Sequence, residues 1–134
     1  MTNISSVGAS HSLRGEQAEA LLRTLSTWGN TTTIVVQGGC VFEFKGAFPV
    51  GSIAQGFYNL NGSNPGFHGH IRLQSIACIS FQDKPHRGRE SYAFVFRDSH
   101  DAIIFKVFLG RQRDGQLIAH QVVEFKRIQS TLVI

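Results

Sequence analysis

Between residues 28 and 45 the chain reads WGNTTTIVVQGGCVFEFK, two β-prone runs joined by four turn-prone residues. Residues 31–36 are Thr, Ile and Val, whose branched side chains fit a pleated surface, and residues 41–45 place two phenylalanines at strand period. The linking Gln37-Gly38-Gly39-Cys40 supplies glycines for the positive φ that a tight hairpin needs. A hairpin at this point implies antiparallel pairing, and Gly29-Asn30 just ahead of it is a helix stop signal.

Upstream of that stop, Ala18, Leu21, Leu22, Leu25 and Trp28 recur at helical spacing, which predicts one amphipathic helix over 16–28. Residues 1–15 have the Ser, Gly and Asn content of a flexible polar tail. Downstream, strand-like runs cover 56–60, 67–73, 75–82, 91–97 and 102–109. Short turns such as Asn61-Gly62 and Asp98-Ser99-His100-Asp101 separate some of them. Parallel pairing would need helical crossovers, and the sequence offers none between these runs. The end returns to helical period with Leu117, Ile118, Val122, Phe125 and Ile128, with Asp114 as the expected N-cap. The expectation is a single α+β domain over 16–134. Its antiparallel β-sheet has about seven strands and is flanked by an N-terminal and a C-terminal helix.

The composition agrees with one packed domain: 134 residues, 42% hydrophobic and only 16% charged. A net charge of +4 is small, and the densest basic group, Lys84, Arg87 and Arg89, falls in a loop, so nucleic acid is not the expected partner. Cys40 and Cys78 form no metal-spaced or redox pair. No apolar run is long enough to span a bilayer, and the polar N-terminus has no secretory h-region. These features set the expectation of a cytoplasmic protein without a membrane segment.

Six histidines are the most suggestive residue type, and His68 and His70 have useful spacing. Two residues apart on a strand, they share a face and can approach one ligand or one divalent metal such as zinc. Surface or hydrogen-bonded histidines are the plainer reading of the same spacing. Eleven phenylalanines, several at strand period (Phe42 with Phe44, Phe94 with Phe96), suit a core and equally a slot for a flat aromatic ligand. The sequence contains no phosphate-binding glycine loop, no His-Glu-x-x-His and no nucleophile elbow, and no residue identifies itself as a general base.

Ordered motifs then add a resemblance. WGNTTT at 28–33, FEFKG at 42–46, GFYNLNG at 56–62, Gly69-His70-Ile71, KVFLGR at 106–111, Gln116-Leu117 and Gln121-Val122 together resemble the cytosolic haem-utilisation carriers of the HutX/ChuX type. That family is related to the halves of HemS/ChuS-type haem proteins. The resemblance covers about residues 25–128. It implies haem binding for storage or transfer, a homodimer and a haem-degrading acceptor protein, with haem degradation by the chain itself as the alternative. It also implies two haem-associated histidines. One matches His70, and at the position of the other this sequence has Val36.

Haem suits such a chain physically. Burying several hundred Å² of porphyrin would release on the order of 10 kcal/mol gross, before the costs of association. The expected site therefore joins His70 as axial ligand to the haem iron, His68 beside it, and Arg72, one strand period on, facing a propionate. A solvent-facing role is the other reading of Arg72.

Overall fold

The computed structural model describes residues 11–62 and 64–134, and within them the chain forms nine strands and two α-helices. The strands are β1 (Leu13–Arg14), β2 (Asn30–Gln37), β3 (Cys40–Ala47), β4 (Gly51–Ala54), β5 (Phe57–Leu60), β6 (Gly69–Ile71), β7 (Cys78–Asp83), β8 (Tyr92–Arg97) and β9 (Ile103–Leu109). The helices are α1 (Ala18–Leu25) and α2 (Ala119–Thr131). All pairing is antiparallel, as the hairpin implied. The strands divide into a six-stranded sheet, ordered β1-β7-β8-β9-β2-β3, and a three-stranded sheet, β4-β5-β6. The α+β class with a helix near each end is therefore the observed one.

One face of the large sheet carries the core. Phe105, Val107 and Leu109 of β9 alternate inward, and Tyr92, Phe94 and Phe96 of β8 lie beside them. Phe125 of α2 packs its ring against Phe81, Tyr92 and Phe94 at centroid distances of 5.5, 5.3 and 4.9 Å. Leu21, Leu22 and Leu25 of α1 are buried in the same cluster, and Trp28 lies 5.9 Å from Phe94. The small sheet joins this core through Phe67, just ahead of β6. Its ring stacks on Phe44 of β3 at 4.9 Å and meets Phe48 edge-on at 5.7 Å.

The ends of the elements are tied by one buried amide. Gln121 of α2 is fully buried. Its Oε1 accepts from Gly110 N (2.7 Å), and its Nε2 donates to Trp28 O (3.0 Å) and Asn30 O (2.8 Å). The exit of β9, the entry to β2 and the second helix thus meet at one side chain. The approach is so close that a Cβ on residue 110 would lie 1.9 Å from Asn30 O, so only glycine fits there. Gly29, at φ +82°, makes the turn that brings Asn30 into place.

The helix expected over 16–28 is shorter, Ala18–Leu25, the expected single sheet of about seven strands is two sheets with nine, and three further expectations shift. Leu13 and Arg14, expected in the polar tail, pair with Ile79 and Cys78, and Leu13 is fully buried. Residues 1–10 of that expected tail lie outside the described residues. Leu117 and Ile118 precede α2 rather than belonging to it, and Asp114 does not cap it. The chain turns back over 112–116 instead: Gln112 N bonds Gln116 O, and Asp114 Oδ1 accepts from Gln116 N. Arg111 then bridges to Leu117. A local Asx-type turn has outcompeted the helix that the apolar spacing suggested.

Replacing Gln121 with Leu leaves Gly110 N, Trp28 O and Asn30 O without their partner in a dry site. Urea unfolding of Gln121→Leu is expected to show a loss of about 3 kcal/mol, against less than about 0.5 for the exposed neighbour His120→Gln. Equal stabilities for the two variants would contradict this account.

Candidate functional site

Strand β6 holds only Gly69, His70 and Ile71, the central part of the expected run 67–73. Residues 73–75 turn into a short 3-10 helix instead. The strand pairs with β5, placing His70 opposite Asn59, and its other side is the free edge of the small sheet. His70 is exposed, and its Nδ1 lies 2.6 Å from Asn59 Oδ1. Its second ring nitrogen, Nε2, makes no hydrogen bond within the described residues.

Arg72 follows the strand. Its guanidinium carbon sits 5.5 Å from the centre of the Phe57 ring, whose centre lies 6.1 Å from that of His70 in an edge-on arrangement. The expected pair of His70 and Arg72 is thus brought together around one aromatic ring. His68 precedes the strand, exposed, so strand alternation does not govern its direction. Among the described residues no cluster of three or more His, Cys, Asp or Glu side chains is placed to hold a metal ion.

Two cavities meet at His70. One, of about 240 Å³, is walled by Val35, Phe44, Phe48, Leu60, Phe67 and Phe105, and His68 and His70 both reach it. The other, of about 280 Å³, is bounded by His70, Arg72, Ile76, Ile104 and Phe105. Val35, His70, Ile71 and Phe105 belong to both. Each is below the usual lower bound of about 300 Å³ for small-molecule pockets, so a flat ligand at His70 would span the two and remain partly open. The walls are apolar and aromatic, as a porphyrin face requires.

The first cavity contains one unmatched polar atom. Thr33 Oγ1 is buried without a hydrogen-bond partner, although Thr33 lines the cavity. Sequence reading gave no sign of it, because a threonine in a β-branched run looks like any other strand residue.

Val36 lies on the other side of β2. Val35 walls both cavities, so its neighbour points to the opposite face of the sheet, and Val36 is 45% exposed there. On that face lies a broad trough of about 830 Å³. It is floored by Thr32, Ile34 and Phe108 and edged by Lys45, Arg89 and Arg111. Of the three arginines that line it, Arg87, Arg89 and Arg111, the last two both donate to Gly115 O.

With this geometry in place, comparison with known proteins is informative. The profile of the haem-utilisation ChuX/HutX family matches residues 11–128. The chain belongs to that family. It is 41% identical over 115 residues to the intracellular haem transport protein HutX of Vibrio cholerae serotype O1. That match takes in 86% of this chain and 60% of HutX, so the chain spans less than two-thirds of its relative's length. A crystal structure of an Erwinia carotovora protein superposes with a TM-score of 0.85 at 34% identity, covering 92% of this chain and 76% of that one. The haem-binding protein ChuX superposes with a TM-score of 0.82 at 28% identity, covering 91% and 76%.

The orphan hydroxyl gives a test of the cavity by itself. Thr33→Val keeps the shape and removes a buried group that has no partner. In the ligand-free protein it is expected to leave stability unchanged or raise it by up to about 1 kcal/mol in urea unfolding. A loss greater than about 1 kcal/mol would mean that the hydroxyl is bonded, for example to an ordered water.

Proposed function

We propose that this chain binds haem and passes it on inside the cell, serving haem utilisation as a carrier. One observation supports this above the others: His70, whose Nε2 makes no hydrogen bond among the described residues, lies at the junction of two largely apolar cavities, with Arg72 held alongside on Phe57. Neutral imidazole is an axial ligand for haem iron, and a guanidinium is the matching partner for a propionate carboxylate. His70 is the iron ligand in this reading, Arg72 the propionate partner, and His68 a flanking residue on the apolar side. Membership of the ChuX/HutX family points the same way, as do its members HutX, an intracellular haem transport protein, and ChuX, a haem-binding protein.

The cargo chemistry fits a carrier. One ligand nitrogen and two partly open cavities give a site that holds haem mainly by apolar burial and leaves a route out. The proposed setting is the cytoplasm, with a haem-degrading protein as acceptor. The relative HutX is intracellular by name, and no helix among the described residues is long and apolar enough to cross a membrane.

The working unit we propose is a homodimer. Val36 and Val41 are cross-strand neighbours, 45% and 57% exposed, on the face that carries the broad trough. Phe42, 55% exposed, lies on β3, the edge strand of the large sheet. With Val36 and Val41 on one face and Phe42 on the other, the exposed apolar side chains at this margin of the large sheet favour a second copy of the chain. A histidine at position 36 would face away from the cavities beside His70, so it would meet a haem there only from another chain.

Hemin titration is expected to give a sharpened Soret band that saturates near one haem per chain. His70→Ala should alter that spectrum clearly while weakening affinity by no more than about a hundredfold, because burial supplies most of the gross binding energy. A titration that never saturates, or an unaltered spectrum in His70→Ala, would overturn the assignment. Light scattering at micromolar concentration should return about twice the chain mass of 14.8 kDa. A monomer mass unchanged by concentration and by hemin would remove the dimer.

A further inference from the structure

Asn59 has its orientation fixed by three backbone carbonyls. Its Nδ2 lies 3.3 Å from Ser52 O, 3.2 Å from Ala54 O and 3.3 Å from Phe57 O. Carbonyl oxygens only accept, so the NH₂ end of the amide must face them and the Oδ1 end must face away. That oxygen, an acceptor without a proton, is the atom 2.6 Å from His70 Nδ1. A hydrogen bond of that length needs a donor on the histidine side. The proton of the neutral ring must then sit on Nδ1, and Nε2 must carry the lone pair.

We propose that Asn59 is a positioning residue that locks His70 in the Nδ1–H tautomer, so that Nε2 is ready to coordinate iron before haem arrives. The inference rests on the haem reading for its purpose, but its physical content belongs to the haem-free protein. The neutral imidazole of a free histidine in water favours the proton on Nε2, the nitrogen that would have to bind iron. Asn59 reverses that preference and also fixes the ring plane, with Phe57 edge-on beside it. An amide oxygen accepts the proton without a negative charge, so the ring stays an ordinary imidazole rather than gaining imidazolate character. That suits a cargo that has to be released.

The strand register explains why this pair forms. Asn59 and His70 are directly opposite on β5 and β6, and Ser52 is opposite Asn59 on β4, so one row across the small sheet holds amide, imidazole and an accepting carbonyl.

The test is the ¹⁵N spectrum of the His70 ring in haem-free protein at mildly alkaline pH, where imidazole is neutral. Long-range proton–nitrogen correlations separate protonated from unprotonated ring nitrogens. The expected result is Nδ1 protonated and Nε2 bare in the native chain, with Asn59→Leu moving the proton toward Nε2. In the same variant, hemin affinity should fall by about tenfold. A native ring protonated on Nε2, or a tautomer indifferent to Asn59→Leu, would overturn the proposal without needing any hemin measurement. An Nδ1–H ring in a protein that fails to bind hemin would uphold the positioning role and overturn the haem reading instead.

Discussion

The buried amide of Gln121 sets the geometry on which the rest of the molecule depends. It uses its acceptor and both donors on backbone groups at the end of α1, the start of β2 and the end of β9. Those contacts fix where β2 enters the sheet. The β2–β3 hairpin follows in a register that places Phe44 on the inner face, opposite Thr33. Phe67 stacks on Phe44, and three residues later comes His70. His70 is thus located by a chain of packed and hydrogen-bonded groups that begins more than fifty residues away along the sequence.

Much of this order was legible in the sequence. The 28–45 stretch announced a helix stop and a hairpin, and both formed, because β-branched runs and glycine turns carry local information. Other features depend on tertiary partners. Leu13 and Arg14 form a strand only because β7 offers an edge to pair with. The 67–73 run keeps three residues of strand because only 69–71 lie opposite β5. Leu117 and Ile118 looked helical by spacing, yet the Asp114 turn takes the backbone elsewhere.

The site divides along the same line. His70 and Arg72 could be named from strand period and from family motifs, and the structure groups them around Phe57. Asn59 and Thr33 could not. A residue acquires a role of that kind from its cross-strand neighbour or from the cavity behind it, and neither is written in local spacing. Two of the stretches that carried the family resemblance, GFYNLNG and Gly-His-Ile, meet across one pair of strands. Val36, where the resemblance implied a second histidine, lies on the far face of the large sheet, away from the cavities beside His70.

The proposed function depends on one bond, from His70 Nε2 to the iron of a bound haem. Resonance Raman of the ferrous complex, prepared in natural-abundance and uniformly ¹⁵N-labelled protein, observes that bond through its iron–histidine stretch. The prediction is one low-frequency band that shifts with the label and disappears in His70→Ala. A labelled complex with no isotope-sensitive iron–ligand band, or a band that survives the loss of His70, would contradict it.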